Sequence, residues 1–111
     1  MDPKKEILMS GGLTNSYVSS QTARVLGYAK CLFVVENRGG GSGIGYIVDA
    51  TPDLDNSLSP WVNIYSSTVL LSGNTSALKL EMPWDAVRIR AKNLVDDRSA
   101  TITVWGNRDP R

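Results

Sequence analysis

Ala29-Lys30-Cys31-Leu32-Phe33-Val34-Val35-Glu36-Asn37 is the stretch that decides the fold class. The apolar run from Cys31 to Val35 is short and holds β-branched and aromatic residues, so it reads as a strand. A strand sends alternate side chains to opposite faces, and a run without a polar break asks for cover on both. Either both faces lie inside the domain, or one covers the core and the other meets a partner. This is the expected central strand.

Working outward, Asn37-Arg38-Gly39-Gly40-Gly41-Ser42-Gly43 is turn chemistry, and Ile44 to Ala50 resumes a strand, so the two runs are expected to form a hairpin with a loose loop. Thr51 to Pro60 holds prolines that cannot donate to a ladder, with Asp, Asn and Ser between them, and reads as the longest irregular segment. Trp61 to Tyr65 and Thr68 to Leu71 follow as short strands or one bent strand. Ala77 to Met82 alternates, with Leu78, Leu80 and Met82 opposite Lys79 and Glu81. Ala86 to Lys92 alternates more cleanly, Val87, Ile89 and Ala91 against Arg88, Arg90 and Lys92. After a turn through Asp96-Asp97, a last strand is expected from Ala100 to Trp105, with Ile102 and Val104 inward and Thr101, Thr103 and Trp105 outward. No segment carries a sustained helical period. About seven short strands with turn signals at this spacing predict a single all-β domain, an antiparallel β-sandwich of immunoglobulin-like or jelly-roll type. Residues 1–13 have no sustained period and run into Gly11-Gly12, so they are expected to form an extended N-terminal arm, with the sandwich over 14–111.

Composition narrows the function. The 111 residues contain no histidine and one cysteine, so the groups that most often carry acid–base and nucleophilic chemistry are nearly missing, and the reading is not an enzyme. Twelve Lys and Arg against eleven Asp and Glu leave a formal charge of +1, too little net field to draw in nucleic acid or an anionic membrane. Cys31 sits inside the apolar run and is expected to be a buried hydrophobe. The apolar residues after Lys4-Lys5 stop at Ser10, so no signal peptide is read and the chain is expected to be made in the cytoplasm.

Gly39 to Gly45 matches neither the dinucleotide fingerprint nor the Walker pattern, so no nucleotide cofactor is expected. Asp49, Asp53, Asp55 and Asn56 offer oxygen ligands but lack the glycine and distal glutamate of an EF-hand loop, so no metal is assigned. Arg88, Arg90 and Lys92 share a strand face without aromatics between them, which argues against a nucleic-acid sheet; Lys79 on a neighbouring strand would extend the stripe, and Glu81 would neutralise it. Trp84, in the turn Pro83-Trp84-Asp85, is expected to bury into a partner. Trp84, Trp61 and Tyr65 could alternatively serve a carbohydrate- or receptor-binding module. Asn74-Thr75-Ser76 matches a glycosylation sequon by chance in the absence of a secretory signal.

The succession of Val34-Val35-Glu36-Asn37, a Gly-rich turn, Thr51-Pro52-Asp53, Trp61-Val62, Leu70-Leu71-Ser72-Gly73-Asn74, Ala86-Val87-Arg88-Ile89-Arg90-Ala91-Lys92-Asn93 and Ser99 to Gly106 resembles small β-sandwich structural proteins of tailed bacteriophages. Head-decoration and neck components are of this kind, and similar domains occur in subunits of bacterial surface filaments. The arm here lacks the cysteines that spore-appendage subunits carry. The resemblance implies a non-enzymatic virion protein, a capsid decoration or head–tail component. It would form a homo-oligomer, by analogy a trimer, and meet the major capsid or other virion proteins, with no nucleic acid or membrane as partner. Ile7, Leu8, Met9, Trp84, Arg88 and Arg90 are the expected subunit-interface residues.

Overall fold

The computed structural model describes residues 2–81, 83–95 and 98–111, the side chain of Thr68 excepted. The expectations for Met82 and for the Asp96-Asp97 turn lie outside the described residues. The strands are β1 (Lys4–Gly12), β2 (Val18–Ser19), β3 (Ala23–Arg24), β4 (Lys30–Asn37), β5 (Ile44–Thr51), β6 (Val62–Leu70), β7 (Thr75–Leu80), β8 (Ala86–Asn93) and β9 (Thr101–Asp109). There is no helix among the described residues, hence none long and apolar enough to cross a membrane.

Two antiparallel sheets pack face to face. One has the order β1-β9-β4-β7, the other β2-β8-β5-β6, with β3 also on β8. If β2 and β3 are counted as one interrupted strand along β8, the pairing is nested. First pairs with last (β1 with β9), second with second-last (β2 and β3 with β8), then β4 with β7 and β5 with β6. The chain is therefore a long hairpin rolled up until β9 meets β4 and β8 meets β5. That is the jelly roll, the second of the two sandwich types expected.

β4 is interior to its sheet, as its apolar run requires, but it does not form a hairpin with β5, because the two strands lie in different sheets. The turn between them crosses from one sheet to the other. Gly39, Gly40 and Gly41 all take positive φ, at 125°, 103° and 88°, a region that side chains with a Cβ avoid. A Cβ on Gly40 would lie 1.9 Å from the Ser99 carbonyl oxygen. The buried Asn37 amide sets the crossover: Nδ2 donates to the carbonyls of Ser42 and Leu70, both at 2.9 Å, and Oδ1 accepts the Gly39 N–H at 3.1 Å. β6 is one bent strand, its register with β5 broken twice by bulges.

The largest departure is at the N-terminus. In place of an arm set apart from residues 14–111, Lys4–Gly12 is an edge strand of the sandwich, paired with β9 from Lys4↔Arg108 to Gly12↔Thr101. A bulge between Ile7 and Met9 turns Leu8 into the core, where it is 3% exposed and packs over Gly106. Leu13 is equally buried, and its N–H reaches the Ala100 carbonyl at 2.9 Å. The buried Arg108 completes the tie: its guanidinium donates to Glu6 on β1 and to the Arg24 carbonyl on β3, and lies 5.4 Å from the Tyr28 ring. A short segment followed by Gly11-Gly12 shows no period because the bulge interrupts the alternation.

The core is filled by Leu8, Phe33, Val35, Ile102 and Val104 from one sheet and by Ile44, Tyr46, Val48, Val87 and Ile89 from the other. Val34, between two core residues, points away from it and is only half-buried. Val35→Ala should therefore cost about 1.5–3 kcal/mol in urea unfolding through lost burial and a cavity, and Val34→Ala less than half as much. Deleting residues 1–13 should abolish the cooperative unfolding transition followed by circular dichroism, because it uncovers β9 and removes Leu8 and Leu13 from the core.

Candidate functional site

The outer face of the four-stranded sheet carries an apolar row that crosses every strand. Cα register places Ile7 opposite Trp105, Trp105 opposite Val34, and Val34 opposite Ala77. Residues paired across a ladder share a face, so these side chains stand side by side. Trp105 is fixed by its indole N–H, which donates to Glu36 Oε1 at 2.9 Å. Ile7 is 47% exposed and Leu32, one step along β4, is 39% exposed. Beside Leu32 lies a cavity of about 270 Å³ whose walls include Pro3, Lys5, Lys30, Lys79 and Asn107. Cys31, Arg108 and Asp109 also line this cavity, so the apolar row runs into a charged end.

The six expected interface residues do not form one patch. Ile7 belongs to the row just described. Leu8 is buried in this chain's own core and is not free to dock elsewhere, and Met9 is half-buried against the same core. Trp84 is also half-buried against the core, and lines a groove of about 360 Å³ with Ile64, Leu78 and Leu80 along the β6 and β7 edges. Arg88 and Arg90 lie on the outer face of the other sheet.

There the two arginines converge on Asp49, a buried carboxylate of β5. Arg88 Nε donates to Asp49 Oδ2 at 3.2 Å, Arg90 Nε to the same oxygen at 2.7 Å, and Arg90 Nη2 to Oδ1 at 3.4 Å. Asp49, not Glu81, is the neutralising acid, and Lys79 sits on the opposite sheet because β7 pairs with β4. Aromatics do accompany the stripe, though from outside its strand. The Arg88 guanidinium lies 4.2 Å from the Trp61 ring centroid, and Lys92 lies 5.0 Å from that of Tyr17. These rings are covered by the protein's own cations. Tyr65 pairs with Tyr46 at 5.9 Å between centroids, and Trp84 packs half-buried against the core.

The single thiol is buried, and burial pushes its pKa above the usual cysteine value, with Arg108 pulling weakly the other way. A nucleophile needs the thiolate and access to substrate; burial disfavours the Cys31 thiolate, and the side chain, beside the cavity described above, is 1% exposed.

No protein-family model matches the chain, and no curated protein matches it. Among solved structures it is similar to a chain in the structure of infectious bursal disease virus Gt strain, with a TM-score of 0.46 and 9% sequence identity. The match covers 96% of this chain and 29% of that one, so this chain spans less than a third of the other's length. It is a virus structure and does not single out the tailed phages. At this overlap the likeness carries no argument about contacts or partners.

Two measurements check the chemistry of these faces. Asp49→Ala leaves two guanidinium groups without their buried acceptor and should cost about 1–3 kcal/mol, less than a fully buried pair because both arginines are partly solvated. In the folded protein Cys31 should stay unmodified by an aromatic disulfide reagent at mildly alkaline pH and react at once in denaturant.

Proposed function

We propose that this chain is a non-enzymatic structural subunit of a virion, of the capsid-decoration or head–tail kind, that assembles with copies of itself and with neighbouring virion proteins. The observation that carries the reading is the outer face of the four-stranded sheet, where Ile7, Trp105, Val34 and Ala77 form an apolar row with Leu32 beside it. Such a row is costly to leave in water, since each Å² of apolar surface buried contributes about 25 cal/mol. The molecule measures 42 × 30 × 18 Å, and its broad profile exceeds the roughly 800 Å² per partner that a standard interface uses. Jelly rolls serve capsid, lectin and cupin domains alike, and the apolar outer face supports an assembling role among these.

The Arg88–Asp49–Arg90 cluster supports the same reading. One carboxylate neutralises part of the stripe and cations lie over the neighbouring Trp61 and Tyr17 rings, which disfavours base stacking along it. No DNA binding is therefore expected in fluorescence anisotropy at physiological salt. A charge on the proposed face separates assembly from folding. Leu32→Lys, at an exposed position, should leave the β circular-dichroism spectrum and melting temperature unchanged while shifting the wild-type oligomer toward monomer in sedimentation velocity. An unchanged sedimentation profile in that variant would sink the assembly reading.

A further inference from the structure

A second feature lies away from that face, where the loop between β5 and β6 meets the segment just before β8. Asp53 and Asp55 on the loop and Asp85 beside it bring carboxylate oxygens within 4.8 Å of one another. The loop pair is exposed, but Asp85 is only 6% exposed. Its Oδ2 accepts the N–H of Leu54 at 2.7 Å, and Leu54 stands between the other two acids. Its Oδ1 is buried with no hydrogen-bond partner. The cation facing that oxygen is Arg24 Nη1 at 3.7 Å, beyond hydrogen-bond reach. Arg24 is committed instead to Asp55, with Nη1 to Oδ2 at 3.2 Å and Nη2 to Oδ1 at 2.6 Å. One guanidinium thus serves three carboxylates, leaving the cluster with excess negative charge and a buried acceptor unsatisfied.

We propose that Asp53, Asp55 and Asp85 bind a calcium ion, and that Arg24 is the cation it displaces. The donor set is all oxygen, which selects a hard cation over zinc or copper, and the chain has no histidine and no thiol nearby to favour a softer metal. Calcium takes six to eight oxygens at roughly 2.3–2.6 Å in flexible geometry, a demand that three carboxylates, some bidentate, meet with water. Magnesium requires a tighter octahedron than two loop residues and one framework residue supply. The Arg24 side chain is about half exposed, at 48%, and swings aside without disturbing the core. Bound calcium would pin the irregular loop after β5 to the start of β8, replacing a solvent-exposed ion pair with metal bonds.

The test uses the full chain stripped with a chelator and titrated with calcium chloride, read by calorimetry and thermal melting. Wild-type protein should bind one ion with Kd on the order of 10⁻⁴ to 10⁻³ M, the range of weak extracellular-type sites, and melt at a higher temperature with calcium than with chelator. Asp55→Asn, at an exposed position, should lose both effects while melting normally without calcium. Arg24→Ala should bind calcium up to about fivefold more tightly, the factor an exposed ion pair is worth. No heat and no melting shift in either the wild type or Arg24→Ala overturns the site. So does an unchanged calcium response in Asp55→Asn, or an equal response to magnesium.

Discussion

Everything in this molecule is arranged around a strand that is apolar on both sides and covers a core on only one. Phe33 and Val35 point inward from β4 to meet Leu8, Ile102 and Val104, and the sandwich closes over them. Leu32 and Val34 point the other way, into line with Ile7, Trp105 and Ala77. Because β4 is interior to its sheet, it cannot shed the outer residues by moving to an edge, and shifting its register by one residue would put Phe33 outside. The exposed row is thus a consequence of where the strand must sit, and in the proposed assembly it is what a neighbouring copy covers.

What fixes the strand there is polar and lies at the ends of the sandwich. Asn37 closes the crossover from β4 to β5. Asn93 does the same at the far end of β8, its Nδ2 donating to the Leu13 carbonyl and its Oδ1 accepting the Ala100 N–H, both at 2.9 Å. Arg108 binds β1 through Glu6 at the opposite end. Each is a buried group whose partners are backbone or charged atoms of distant segments, so each specifies which loop meets which strand. A jelly roll made of long-range pairs needs such pins, since apolar alternation alone says which face is in, not which strand is next.

This division also explains how much was legible in the sequence. From β4 onward apolar runs and alternation revealed the strands, the inward residues of β8 and β9, and the sandwich class, because burial on one face writes a period of two into the residues; β1, β2 and β3 were not legible. Register and sheet membership left no such trace. The turn at Gly39 to Gly43 looks the same whether it joins neighbours in one sheet or crosses between two, and only the close approach of Gly40 to Ser99 separates the cases. The bulge at Leu8 hid a core strand as an arm. Asp49 read as a loop acid because its partners, Arg88 and Arg90, come from a strand paired beside it. The apolar row needed four strands in register before it existed at all, although the unbroken run in β4 already asked for a second cover.

The most direct measurement follows the methyl groups by NMR while the protein is concentrated through its assembly range. If the outer face of the four-stranded sheet is the contact, the signals of Ile7, Leu32 and Val34 shift or broaden together. Those of Val62 and Val69 on the β6 edge, also exposed in the isolated chain, stay in place. Shifts confined to the β6 edge, or no concentration dependence at any methyl, would contradict the assembly role assigned to this face.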